Sequence, residues 1–157
     1  MKPETQLKLK NFKKAQEKLQ AKIKSESTDL FKSAFQDLFD EHPALLAVRW
    51  QQYTPFFNGG DVCEFGVSDP SVQLDHQSLG SNPDDFEKER NGDIFIEGFY
   101  SKGSPSEGEK RGREILDDVR TVHNSFLQEM FEITFGDHVE VTIRRSGEVK
   151  VKEYEHD

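Results

Sequence analysis

The sequence has one cysteine among its 157 residues, and it has no apolar run of the roughly 18 residues that a membrane-spanning helix needs. A single cysteine excludes an internal disulfide, so we expect a reducing compartment. The lysines near the N-terminus are not followed by an apolar stretch, which is not the pattern of a secretory signal peptide. We therefore predict a cytoplasmic protein with no membrane partner.

Catalytic motifs are also missing. There is no nucleophile elbow, no kinase motif set, no dinucleotide-binding fingerprint and no HExxH zinc motif. The segment GEKRGRE at residues 108–114 lacks both the spacing and the Lys-Ser/Thr pair of a P-loop. We expect a non-enzymatic protein without a cofactor, and a small metal-dependent hydrolase or nuclease remains an alternative.

The charge is distributed unevenly along the chain. The net charge is −9, but residues 1–24 hold eight lysines and two glutamates, a balance of +6, which leaves −15 on the remainder. Because phosphate neutralisation dominates nucleic-acid affinity, an acidic body makes nucleic acid an improbable partner. The same acidity suits a basic protein surface.

Residues 1–27 are predicted to form a basic helical arm. Within residues 5–24 the side chains of a heptad-like seam recur every three or four residues: Leu9, Phe12, Gln16, Leu19 and Ile23. We expect this seam to pack on the arm's own domain or to join copies into a homo-oligomer, and nucleic-acid or anionic-surface binding are the alternatives. Residues 25–28 are a predicted break, and a second helix follows to about residue 41; one continuous helix over residues 5–40 is the alternative.

Residues 28–157 are predicted to form a single α+β domain. The expected fold has two N-terminal helices, a mostly antiparallel sheet of about five strands, and one long helix before a C-terminal β-hairpin. Period-2 alternation predicts strands near residues 46–51 and 63–68, and the apolar residues between 94 and 100 predict a third strand. Helical periodicity predicts the long helix over residues 109–131.

Two hairpin registers can be predicted from the apolar faces. Matching the first pair of strands places Trp50 beside Phe65 and Val48 beside Val67. In the C-terminal hairpin, Ile143 pairs with Val149 and Val141 with Val151, which leaves residues 145–147 as a three-residue loop that ends in glycine.

The connection from Tyr53 to Val62 is the predicted working surface. It is too long for a tight turn and carries three aromatic rings, which either fold back over the sheet or face a partner. Polar groups around it could hydrogen-bond a small ligand while the rings stack on it. The predicted ligand-binding residues of this region are Arg49, Trp50, Gln52, Tyr53, Thr54, Phe56 and Asn58.

Two further groups are weaker candidates. Arg111 and Arg113 lie near the start of the long helix, where a bound phosphate would relieve the unfavourable placement of basic charge. His138 and His156 lie at the open end of the C-terminal hairpin and are weak candidates for metal ligands. Strand alternation separates the histidines from the nearby acids, so we predict a solvated or salt-bridged chain end there and no metal site.

Two stretches are distinctive as motifs: residues 50–65, WQQYTPFFNGGDVCEF, and residues 135–157, FGDHVEVTIRRSGEVKVKEYEHD. Both resemble a family of small uncharacterised proteins of phages, prophages and some bacteria. The family's loop usually reads Asn-Asp-Gly, where this chain has Asn58-Gly59-Gly60-Asp61. The resemblance implies an accessory role, such as counter-defence in the host cytoplasm, and no known activity or catalytic residues.

These observations together favour a non-enzymatic binding protein. It would either sequester a small ligand such as a nucleotide or block a host protein through the central loop. A second binding mechanism is an acidic inhibitor that imitates nucleic acid, using residues 61–97, where ten acidic residues outnumber Lys88 and Arg90.

Overall fold

The computed structural model describes residues 1–57, 59–82, 86–88, 95–99 and 105–156. The helices are α1 (Pro3–Glu41), α2 (His76–Leu79), α3 (Glu107–Asn124) and α4 (Gln128–Phe135). The strands are β1 (Leu45–Tyr53), β2 (Gly66–Val67), β3 (Ser71–Leu74), β4 (Phe86–Lys88), β5 (Ile96–Phe99), β6 (Val139–Arg144) and β7 (Val149–Glu153). The predicted α+β class, with a long helix before a C-terminal hairpin, is confirmed.

The N-terminal region is one helix rather than two. Residues 25–28, where we expected a break, stay helical in α1, and the Thr28 hydroxyl donates to the Lys24 carbonyl at 2.8 Å. That bond satisfies the hydroxyl within the helix, so it does not compete with the backbone. With no proline or glycine over residues 4–41, α1 continues until Pro43 disfavours helical geometry in the residue before it.

The sheet is organised around β1. Its strands run in the order β4-β5-β3-β1-β6-β7, while β2 pairs with the end of β1, and all of these pairings are antiparallel. The central position of β1, between β3 and β6, brings its C-terminal end to the open end of the β6–β7 hairpin. The third predicted strand is β5, and the part of that prediction over residues 94 and 100 lies outside the described residues.

The predicted register of the first hairpin is wrong. Val67 lies opposite Gln52, and Val48 lies opposite Val72 on one side and Ile143 on the other. The physical reason is that β3 occupies the edge of β1 that the prediction gave to residues 63–67. β2 is therefore only two residues long, and it pairs with the very end of β1.

The predicted register of the C-terminal hairpin is confirmed. Ile143 lies opposite Val149 and Val141 opposite Val151. Gly147 has φ 91°, which is the left-handed geometry that the three-residue loop requires at this position. Local turn chemistry and facing apolar residues are therefore sufficient to set this register.

The helix predicted over residues 109–131 is two helices. α3 ends at Asn124, the Ser125 hydroxyl donates to the Thr121 carbonyl at 2.8 Å, and α4 begins at Gln128. The break lets Phe126 stack on Phe31 of α1 at a ring distance of 4.0 Å. Aromatic packing between helices thus overrides a continuous helical pattern.

Helices α1, α3 and α4 meet the sheet around Trp50. The indole is fully buried against Phe35 of α1, His123 of α3, and Phe131 and Phe135 of α4, with ring distances of 5.0–5.7 Å. Burial of such large rings supplies much of the hydrophobic stabilisation of a core. One strand residue therefore connects three helices.

Residues 1–26 are all exposed, and Ser27 is the first buried residue of α1. The arm therefore does not pack on the described part of its own domain, and the alternative expectation, contact with another copy of the chain, stays a prediction. None of the helices in the described part of the chain is both long enough and apolar enough to cross a membrane.

Candidate functional site

The end of β1 and the open end of the C-terminal hairpin form one site. Gln52 lies opposite Val139, and Val139 lies opposite Glu153. The backbone N–H of Tyr154 donates to the His138 carbonyl at 2.8 Å and extends the pairing beyond β7. Sheet pairing thus joins two groups of residues that the sequence presents about 80 positions apart.

Four rings stack across this junction. The ring of His156 lies 4.0 Å from that of Tyr53 and 4.5 Å from that of Phe56, with interplanar angles of 25° and 10°. His138 lies on the same ring of Phe56 at 5.0 Å. The two imidazoles are nearly parallel, at 8°, and His138 Nδ1 lies 2.6 Å from His156 Nε2. One ring donates to the other, so the stack fixes both histidines.

Asp137 fastens the start of the loop to this junction. Its carboxylate accepts the Thr54 N–H at 2.8 Å, the Thr54 hydroxyl at 2.6 Å and the His138 N–H at 2.8 Å. Desolvation raises the pKa of Asp137, but these hydrogen bonds and the charge of His138 outweigh it, and the net pKa is lowered. His138 has φ 55°, a left-handed conformation that interrupts strand alternation and turns its ring towards Phe56.

Apolar side chains next to the stack face solvent. Phe56, Phe57 and Val62 are 69%, 81% and 82% exposed, and we call these three the loop surface. The loop therefore combines both expected arrangements: Tyr53 folds back onto the hairpin, whereas Phe57 points outward. An open groove of about 240 Å³ lies beside it, and it is lined by Tyr53, Pro55, Glu64, Gly66, Val67 and Ser68.

Two predicted ligand-binding residues are buried in the core instead. Trp50 and Gln52 are both 0% exposed, and the indole N–H donates to Gln52 Oε1 at 2.9 Å. Gln52 Nε2 in turn donates to the carbonyls of Phe131 and Gly136 at 3.0 and 2.6 Å. These side chains hold α4 on the sheet and do not reach solvent.

Arg49 is tied into the other face of the sheet. Its Nε lies 3.1 Å from Thr142 Oγ1 and 3.4 Å from Glu140 Oε1, and its guanidinium lies 3.8 Å from the ring centre of Phe95. These contacts give Arg49 a structural role in the sheet. Of the seven residues predicted around the loop, Tyr53, Thr54 and Phe56 belong to the junction, and Asn58 lies outside the described residues.

Arg111 and Arg113 lie elsewhere, at the start of α3. Arg111 donates to the Leu79 carbonyl at 2.8 Å, and Arg113 pairs with Glu109 at 2.9 Å. An ideal Cβ on Gly108 would lie 2.6 Å from the Leu79 carbonyl oxygen, so α2 packs directly against this helix start. Arg111 therefore fastens α2 to α3, whereas the Arg113–Glu109 pair lies within α3.

Sequence reasoning missed two histidine environments. His42 Nε2 lies 2.8 Å from Asp118 Oδ2, and with Glu41 these residues place three potential metal-ligating atoms within 4.8 Å of one another. His123 is buried between Trp50 and Phe131, and burial lowers its pKa to about 4 against the opposing effects of Asn124 and Asp69. Neither environment has a local sequence signal, because the partners come from distant elements.

Comparison of the chain with family models, with curated proteins and with solved structures finds no match. The geometry of the junction is therefore the basis for a functional interpretation.

Proposed function

We propose that the protein is a non-enzymatic binding protein of phage or prophage type, and that it blocks a host protein through the loop surface. The single observation that carries this proposal is the exposure of Phe57, which directly follows Phe56 of the ring stack, with Val62 exposed further along the same loop. Exposed patches of large apolar side chains are typical of protein interaction sites. Aromatic residues are also over-represented among the residues that dominate interface energies.

The loop surface is held in place before any partner arrives. Asp137 fixes Thr54 through two hydrogen bonds, and His138 and His156 support one side of Phe56. A fixed aromatic side chain loses less conformational entropy on binding than a mobile one. Pre-organisation of this kind supports a role in recognition.

A protein partner fits the surface better than a small ligand does. The two most exposed side chains of the loop point away from any enclosure, and the neighbouring groove of about 240 Å³ is open. Small-molecule sites are typically concave and bury most of the ligand. Sequestration of a small ligand such as a nucleotide is the competing outcome, with Tyr53 and Glu64 as the lining groups.

The hydrolase alternative has less support at this junction. Both carboxylate oxygens of Asp137 already accept hydrogen bonds from Thr54 or His138, so metal binding or proton abstraction at this group would compete with the attachment of the loop. The acidic-mimic alternative depends on residues 61–97, of which 83–85 and 89–94 lie outside the described residues.

Native mass spectrometry of the protein isolated from its native host cells tests the proposal. Wild type is compared with Phe57→Ser and with Leu127→Ser, a matched control that is 67% exposed and lies at the opposite end of α4 from Asp137. We expect a protein partner on wild type and on the control, but not on Phe57→Ser. A retained small molecule in all three would replace the proposal with ligand sequestration, and a partner retained by all three would exclude the loop surface.

A further inference from the structure

The basic arm carries an apolar seam that no described part of its own domain covers. Every residue over 1–26 is exposed, and four large side chains of the seam are 38–66% exposed. They are Leu9, Phe12, Leu19 and Ile23. Leu30 has the same heptad position as Leu9 and Ile23 and is 55% exposed. The side chains that anchor α1 in the core, such as Phe31 and Phe35, lie on a different stripe of the helix.

The seam is long enough for a helical partner. The exposed part of α1, residues 3–26, is ~36 Å long at 1.5 Å per residue. Apolar residues recur there at the first and fourth positions of successive heptads, with Gln16 at one of the first positions. That spacing is typical of a helix that packs along another helix. While they face solvent, these apolar side chains do not give the stabilisation that their burial against a partner would give.

The charges that flank the seam indicate the chemistry of the partner. With Leu9 at the first heptad position, the charged residues at the two flanking positions are Lys8, Lys13 and Lys22. Lys8 and Lys22 lie 3.7 and 4.0 Å from Glu4 and Glu26 of their own helix. Exposed pairs of this kind contribute little. The flanks therefore present positive charge to whatever helix lies on the seam.

A second copy of the arm is a poor occupant. In a parallel pair, a flanking position of one helix faces the flanking position five residues further along the other helix. Lys8 of one helix would therefore face Lys13 of the other across the seam. In an antiparallel pair centred near Gln16, Lys8 would face Lys22 of the other helix. Either arrangement places like charges together, and such contacts destabilise the pair. The expected homo-oligomer through N-terminal helices is therefore disfavoured along this seam.

We propose that the arm docks an acidic amphipathic helix of a partner protein along this seam. Such a helix places its own apolar stripe on Leu9, Phe12, Leu19 and Ile23 and sets Glu or Asp beside the flanking lysines. Charged residues at flanking positions are known to determine partner choice in coiled coils. The surface is separate from the loop surface, so the two proposals stand or fall independently.

The probe is a synthetic four-heptad peptide with Leu and Ile at the first and fourth positions and Glu at the flanking positions. Its binding to the full-length protein is measured by fluorescence anisotropy at low and high salt. We expect Leu9→Gln with Leu19→Gln to weaken binding at least tenfold. Leu7→Gln is the matched control, since Leu7 is 59% exposed but lies outside the seam, and we expect less than a twofold change. Binding should weaken as salt rises, because exposed charges are screened.

Other outcomes overturn the proposal. They are failure of the peptide to bind wild type, equal losses for the seam and control variants, and a seam-dependent dimer of the protein in sedimentation experiments without peptide. Tighter binding to phosphatidylglycerol vesicles or to duplex DNA than to the peptide would show a general polyanion surface instead. The variants should keep the wild-type melting temperature, since the first buried residue of α1 is Ser27.

Discussion

The indole N–H of Trp50 donates to the side-chain oxygen of Gln52, two residues further along the same strand. Both side chains are fully buried, and the Gln52 amide also reaches the carbonyls of Phe131 and Gly136. One glutamine thus satisfies the polar edge of the central ring of the core and the C-terminal part of α4. The packing of the core and the position of Asp137, which directly follows Gly136, depend on it.

Replacement of Gln52 by leucine should destabilise the fold. The change leaves the indole N–H and the Phe131 carbonyl buried, and the Gly136 carbonyl part-buried, without this partner. Unsatisfied buried groups cost about 1–3 kcal/mol each, with partial relief from relaxation. We expect the free energy of unfolding to fall by about 2–4 kcal/mol in urea denaturation. Gln51→Leu is the control, because Gln51 and its bonds to Glu140 and Ser68 are only partly buried. Equal losses for both variants would contradict the role of the buried amide.

Gly108→Ala should also destabilise the protein, although alanine favours helices. A Cβ at this position would lie 2.6–2.7 Å from backbone atoms of Leu79 and Gly80, which cannot move aside as a flexible side chain could. Overpacking of this kind costs about 1–3 kcal/mol. Gly66→Ala is the control, since its Cβ meets nothing within 4 Å. Thermal unfolding of both variants checks the prediction, which fails if Gly108→Ala matches or exceeds the wild-type melting temperature.

His123 should make the protein acid-sensitive. Its folded pKa of about 4 lies below the ordinary value of 6.5, so the unfolded chain binds a proton first as the pH falls. The effect of His123 on the free energy of unfolding is absent above about pH 6.5. Between pH 6.5 and pH 4 protonation in the unfolded state lowers that free energy by about 3 kcal/mol in total, at 1.36 kcal/mol per pKa unit.

The variant His123→Leu removes that proton-binding difference. We expect the stability of wild type relative to this variant to fall steadily as the pH is lowered from 6.5 to 4, measured by urea unfolding at each pH. Contributions from the other histidines cancel in the difference. A pH-independent difference would show that burial of His123 does not exclude its proton.

Asp137→Asn should loosen the loop. The amide removes the negative charge that strengthens the bonds from the Thr54 N–H, the Thr54 hydroxyl and the His138 N–H, and it leaves one acceptor oxygen in place of two. Because the pKa of Asp137 is lowered in the folded state, its stabilising effect is present at neutral pH and is lost as the pH falls through the folded pKa. We expect amide hydrogen exchange of Thr54 at pH 7 to accelerate about tenfold, equivalent to loss of one hydrogen bond of about 1.4 kcal/mol. Glu155→Gln, an exposed neighbour, should leave that rate unchanged, and an unchanged rate in Asp137→Asn would contradict the clamp.

Features set by local chemistry could be predicted from the sequence. The register of the C-terminal hairpin follows from facing valines and from the left-handed Gly147. The α+β class follows from the alternation of strand and helix periodicity. Tyr53, Thr54 and Phe56 could be selected because they lie directly after a strand, in a loop that carries too many rings for a simple connection.

Features set by competition between distant segments could not be predicted. The register of β1 depends on β3, which takes the edge that residues 63–67 were expected to fill. By residue type alone Gln52 suits a polar surface, yet the indole of Trp50 and the end of α4 enclose it. The ring stack joins Phe56 to His156 through three strands and depends on the left-handed conformation of His138, which is uncommon for any residue except glycine.

Site-specific photo-crosslinking in the native host tests the role of the loop surface most directly. A benzophenone amino acid is placed at position 57 in one variant and at position 127 in the other, since both native side chains are well exposed. We predict a discrete protein adduct from position 57 that is lost when Phe56→Ser is added, and no matching adduct from position 127. Absence of an adduct at position 57, or the same adduct from both positions, would contradict the assignment of the loop as the partner-binding surface.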